Sequence, residues 1–183
     1  MVVTLGPDES GPVDAAEAWK AVGLVNDWVK HAESKAGALM AASGVTGGVL
    51  YNLVKSQDHP GGFLAIAATT SAVTVLLAAA CALTALWPRL HASEPPTSLL
   101  YFEHIARRHP KSPAAYIEEF KALATNPDSL LEQLAQQVWA NARVAKRKYF
   151  WAGLALLCLA VSLVTLACVA LNISLVSIGV ING

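Results

Sequence analysis

The sequence predicts an all-α membrane protein: three transmembrane helices, two of them continuous with cytoplasmic helices that form a small helical cytoplasmic cluster. Three observations predict it. Hydrophobic residues make up 55% of the 183 and charged residues only 14%, against roughly 25% charged in ordinary soluble domains. Three apolar runs, 36–54, 63–87 and 149–171, each supply the about 20 residues needed to cross a hydrocarbon core of roughly 30 Å. At two of these runs a charged helical stretch enters apolar sequence with no Pro or turn residue between. They read "HAESKAGALMAASGVTGG" from His31 and "RVAKRKYFW" from Arg143.

The first element is a loose tail, 1–11, with Gly and Pro punctuation. A cytoplasmic helix over 12–35 follows, with Pro12 suited to a first position and Asp14 and Glu17 at its positive end. Ala21, Leu24, Val25, Trp28, Val29 and Ala32 mark one face, and Asp27, Lys30, His31 and Ser34 the other. No stop signal precedes the first span, so helix and span form one rod of roughly 60 Å at 1.5 Å per residue. A polar region precedes that span, so a cleaved signal peptide is not expected. The loop 55–62 leads to the second span, and Trp87, Pro88 and Arg89 combine an interfacial ring, a helix breaker and a snorkelling cation at its exit.

The region 88–148 reads as helical and cytoplasmic. Thr97 or Ser98 is a candidate cap for a short helix ending near Arg108. Ser112 and Pro113 start another, with an apolar stripe at Tyr116, Ile117, Phe120 and Leu123. Asn126 caps the last helix, with Pro127 at its first position; Leu131, Leu134, Val138, Ala142 and Ala145 form its apolar face. This helix also reaches the bilayer unbroken, and an external tail, 172–183, closes the chain.

Net charge is zero, with 13 Lys and Arg against 13 Asp and Glu, so its distribution is what informs. Lys20, Lys30 and Lys35 precede the first span, and Lys55 alone follows it in the loop. Arg89, Arg107, Arg108, Lys111, Lys121, Arg143, Lys146, Arg147 and Lys148 lie between the second and third spans, and the tail has none. The positive-inside rule puts the N-terminus and 88–148 in the cytoplasm and the C-terminus outside. Cys81, Cys158 and Cys168 sit in apolar runs and read as small hydrophobes, so neither disulfide nor metal is expected.

Gly37, Ala41, Gly44 and Gly48 share one face of the first span, a small-residue surface that lets helices approach closely. Packing within one protomer is the expected use, and self-association the alternative. Thr69, Thr70, Ser71 and Thr74 are expected to bond their own backbone rather than line a pore. Glu33 and Lys35 read as a solvated pair at the membrane boundary, and Arg143, Lys146, Arg147 and Lys148 as an anchor on anionic lipid. His104 and His109 have no evident partner, and "NIS" at Asn172 matches a glycosylation pattern but abuts the bilayer. No catalytic triad, phosphate loop or dinucleotide fingerprint is present, so no enzyme is expected. The spans carry no ionisable residue at midplane depth, which disfavours a transporter.

The joint Glu33-Ser34-Lys35-Ala36, the Pro88-Arg89 exit, Tyr101, Phe102, Ile105 and Ala106, and the late "QQVWANARVAKRKY" helix stand in an order and spacing around three spans. Together, over roughly 15–172, they resemble the Pycsar transmembrane effector family. The resemblance implies a bacterial antiphage effector of the inner membrane, with no cofactor and no nucleic-acid partner. A partner cyclase would supply cyclic CMP or cyclic UMP, and the effector would impair the membrane and abort infection. One departure is the abundance of Gly and Ala in the first span, which bears on assembly. A nucleotide monoanion would need a cation, for which Arg107, Arg108 and Arg143 are candidates, and a flat face, for which Tyr101, Phe102 and Trp139 are candidates. Homo-oligomerisation is the expected amplifier, since three spans enclose little pore. The alternative from another class is a constitutive scaffold whose cytoplasmic stripes, 116–123 and 131–145, dock a protein partner.

Overall fold

The computed structural model describes residues 15–55, 57, 61–87 and 98–179. Among these the chain is all helical, with five helices: α1 (Ala15–Val54), α2 (Gly62–Leu86), α3 (Phe102–Arg108), α4 (Pro113–Ala124) and α5 (Pro127–Ser177). Helices α1, α2 and α5 are long and apolar enough to cross a membrane. The unbroken joints are as expected: α1 is a single helix of 40 residues and α5 of 51. Helix α5 runs six residues past the expected span end at Leu171, into the segment expected as a tail. The expected N-terminal tail, the Pro12 start, the Pro88-Arg89 exit and the Thr97 cap lie outside the described residues.

Local chemistry sets the starts of α4 and α5. The Ser112 hydroxyl accepts from the Ala115 N–H at 3.4 Å, with Pro113 opening α4. The Asn126 side chain accepts from the Ser129 N–H at 3.2 Å, with Pro127 opening α5. Helix α3 starts later than expected. Its N-cap is Tyr101, which supplies no side-chain cap bond. Ser98 instead shapes the preceding turn, its hydroxyl accepting from the Leu100 N–H and its own N–H donating to His104 Nδ1.

The described residues divide into two compact units. The first unit, termed membrane-distal because it holds none of the three apolar runs, comprises 15–28 and 98–143. Its buried side chains include Val22, Val25, Leu99, His104, Leu123 and Leu134. The expected inward face of α1 holds in part. Val25 and Ala32 of that face are buried, Leu24 and Trp28 are instead 54% and 46% exposed, and Val22 buries in addition. The expected α5 face holds, with Leu134 fully enclosed.

The spanning unit comprises the described residues of 29–87 and 144–179. One cluster joins Leu50 of α1, Leu64 and Ala67 of α2 and Val169 of α5; another joins Leu39 and Met40 of α1, Cys81 and Ala82 of α2 and Ala155 of α5. Rising numbers in α1 and α5 thus pair with falling numbers in α2, an up-down-up bundle. Many of its inward residues are small, with Ala36, Ala78, Ala82 and Ala155 fully buried. Its large side chains point outward: Ile66, Leu76, Leu157 and Val164 are each more than 60% exposed. Such a surface suits lipid, not water.

Candidate functional site

Two places in the fold hold the predicted functional residues, one in each unit. In the membrane-distal unit, Tyr101 and the α3 residues Phe102, Arg107 and Arg108 follow the turn anchored by Ser98. The Leu99 N–H donates to Gln133 Oε1 of α5 at 3.0 Å, and its carbonyl accepts from the Tyr116 hydroxyl at 3.3 Å. These bonds fix the turn against α4 and α5. Tyr101 lies against Phe102 and His104, with ring centroids 4.8 and 5.1 Å away. Burial, and next the charge of Glu103, pushes the Tyr101 phenol above its ordinary pKa. Phe102 is 63% exposed and available as a flat face.

Arg108 is engaged, its guanidinium 2.8 Å from the Glu119 carboxylate of α4. The same carboxylate oxygen lies 3.5 Å from His109 Nε2, so the histidine has an acid neighbour that its sequence context does not reveal. The second group of candidates sits on α5. The Arg143 guanidinium lies 4.7 Å from the centre of the Trp139 ring, one turn away on the same face. Both are exposed, and together they present a cation beside an open indole. That pairing suits an anion carrying an aromatic base. Close by in the same unit, Asn141 bridges to Asn26 of α1 at 2.7 Å.

In the spanning unit, the membrane-boundary residues differ from expectation. Glu33 does not pair with Lys35, because residues two apart on a helix point to different sides. Its partner is Lys148 of α5, with Nζ 3.0 Å from Oε1. The same ammonium donates to the Ala85 carbonyl at 2.9 Å, satisfying one of the open carbonyls at the end of α2. Lys148 is only 12% exposed, so it ties three helices together instead of joining a lipid anchor. Lys35 lies 5.5 Å over the Tyr149 ring. Lys146 and Arg147 remain exposed. Pro88 and Arg89 lie outside the described residues.

The small-residue face of α1 also departs from the expectation of packing within the chain. Ala41, Gly44 and Gly48 are exposed, and a methyl added at Gly37, Gly44 or Gly48 would meet nothing within 4 Å. The glycine that faces a neighbour is Gly47, whose added methyl would lie 4.0 Å from Val75 Cγ1 of α2.

Of the hydroxyls in α2, Thr70 and Thr74 bond their own backbone as expected. Ser71 does not. It and Ser162 of α5 are fully buried and exchange bonds: Ser71 Oγ donates to the Ser162 carbonyl at 3.1 Å, and Ser162 Oγ to the Ser71 carbonyl at 3.0 Å.

Comparison with known proteins gives a consistent picture. The family description "Pycsar effector protein domain" matches residues 17–175. The Pycsar effector protein PtPycTM of Propioniciclava tarda is 32% identical, over 94% of this chain and 91% of that protein. No solved structure matches.

Proposed function

This chain belongs to the Pycsar effector family, and from that premise we propose that it is an antiphage-defence effector of the bacterial inner membrane. In this reading a partner cyclase makes cyclic CMP or cyclic UMP during infection. The membrane-distal unit binds it, and the spanning unit impairs membrane integrity. The N-terminus and the 88–148 region face the cytoplasm, where the nucleotide is made, and the C-terminus faces outward. The observation that carries the reading is the continuity of α1 and α5, each a single helix contributing residues to both units. A ligand shifts a conformational equilibrium only by binding one state more tightly. Unbroken helices supply the mechanical link by which such a preference reaches the bilayer.

Arg143 over Trp139 is the first candidate for the nucleotide, with Tyr101 and Phe102 next and Arg107, which has a contact within the chain, after them. Arg108 ranks lower because Glu119 already occupies its guanidinium. Homo-oligomerisation completes the proposal, and the outward face of Gly37, Ala41, Gly44 and Gly48 supports it. A close helix contact there would come from packing, since lipid removes the hydrophobic drive. Staying monomeric through a detergent dilution series, with and without nucleotide, would remove oligomerisation.

The deciding test is membrane potential, read with a dye in cells supplied separately with cyclic CMP, cyclic UMP, cyclic AMP and cyclic GMP. Depolarisation with a pyrimidine nucleotide alone is expected. Silence to all four from inserted protein would turn the assignment toward the scaffold reading. Exposure of Ile117 and Phe120 on α4 favours that second reading as a docking surface.

A further inference from the structure

Within the spanning unit the three helices are not held alike. The polar tie inside the apolar layer joins α2 to α5, through the fully buried Ser71 and Ser162, whose hydroxyls lie 3.1 Å apart. Separating these helices would break both interhelical bonds and leave each hydroxyl to turn back on its own helix. Helix α1 behaves differently. Its buried Ser43 and Thr46 donate to the Leu39 and Ala42 carbonyls of α1 itself, each at 2.8 Å. Those bonds travel with the helix. Among the described residues, no side chain of α1 between 36 and 54 hydrogen-bonds to another helix. Displacing α1 within the apolar layer therefore leaves no polar group unsatisfied.

What holds α1 through charge lies at one end, where Glu33 meets Lys148 and Lys35 lies over Tyr149. The clasp is asymmetric. If Glu33 leaves, it is already 44% exposed and enters water, whereas the Lys148 ammonium, 12% exposed, keeps its bond to the Ala85 carbonyl but loses its counter-charge. Counted in interhelical hydrogen bonds within the apolar layer, release of α1 thus breaks fewer than removal of α5. Helix α1 is also one of the two helices shared with the membrane-distal unit.

We propose that the Glu33–Lys148 pair is a latch that holds α1 at rest against a fixed α2–α5 pair, and that activation releases α1. This rests on the effector reading above and names the moving part. The latch and the fixed pair are positioning devices, with no contact to the nucleotide.

The test uses the full chain in cells, with membrane potential and membrane-fraction abundance read together. Glu33→Gln keeps the shape of the side chain and removes its charge. It is expected to depolarise cells without nucleotide, or to respond at about tenfold lower nucleotide than the parent. Two crosslinks are read in a background with Cys81, Cys158 and Cys168 replaced by Ala. Oxidising Gly47→Cys/Val75→Cys, which locks α1 to α2, should abolish the response until reductant is added. Oxidising Ser71→Cys/Ser162→Cys, which locks α2 to α5, should leave it intact. An unchanged dose response in inserted E33Q, or full activity in the α1–α2 crosslinked protein, overturns the latch while leaving the effector reading standing. If the parent answers none of the four nucleotides, the effector reading falls. The latch is then judged on the nucleotide-free leak of E33Q and its suppression by the α1–α2 crosslink. If E33Q fails to insert, the two crosslinks decide alone.

Discussion

Helices α1 and α5 each contribute to both units, and along each helix the residues that turn inward change in size. In the membrane-distal unit large aliphatic side chains bury, Val22 and Val25 from α1 and Leu134 from α5. In the spanning unit the same helices bury mostly small residues, Ala36, Ser43, Ala155 and Ser162 beside Leu50 and Val169, and turn Val45, Leu157 and Val164 outward. Water explains the first arrangement, since burying apolar area is favourable there. In lipid that drive is absent, and contact between helices comes from close packing and a few interhelical hydrogen bonds. A single helix can obey both rules because its inward face changes composition, not position, between Val29 and Ala36.

This contrast breaks most readily by changing bulk in opposite directions. Leu134→Ala, in the distal unit, should be the most destabilising change, about 3 kcal/mol, because it leaves a cavity at a fully enclosed site. A urea titration of the detergent-solubilised protein, followed by tryptophan fluorescence, checks it. Ala155→Leu is the converse test in the spanning unit. Adding bulk where nothing is exposed should cost roughly 1–3 kcal/mol by overpacking, read as loss of thermal stability in detergent.

Smaller changes sharpen the comparison. Asn126→Ala removes the cap of α5 and should cost about 1 kcal/mol, with loss of helicity confined to its first turn. Ser162→Ala should cost only about 0.6 kcal/mol, typical of an interhelical hydrogen bond in a membrane. A measured loss for Ser162→Ala larger than for Leu134→Ala would upset the contrast between the units. Arg143→Ala, at an exposed site, should change stability by less than about 0.5 kcal/mol. It should nevertheless weaken the nucleotide response without lowering membrane abundance. An unaltered dose response would remove Arg143 from the ligand site.

Legibility followed the range of the interaction. The starts of α4 and α5 were readable because Ser112-Pro113 and Asn126-Pro127 act on N–H groups three residues away. The late start of α3 was not, because Ser98 is bound into a contact with His104 that a cap pattern does not foresee. Periodicity located the Gly37–Gly48 face but not its direction, since a run of small residues looks the same whether it meets a neighbour or lipid. For the ligand candidates, sequence named the chemistry, and the fold distinguished Arg143, stacked beside an open indole, from Arg108, held by Glu119.

By itself the sequence determined the three spans, the two unbroken joints and the helical class, because hydropathy, length and punctuation act locally along the chain. Only the tertiary structure decided that Glu33 meets Lys148 instead of Lys35, that Ser71 meets Ser162, and that the glycine face looks out of the bundle. Each of those outcomes depends on how helices rotate against one another, and side chains 91 or 115 residues apart meet only when packing selects that rotation.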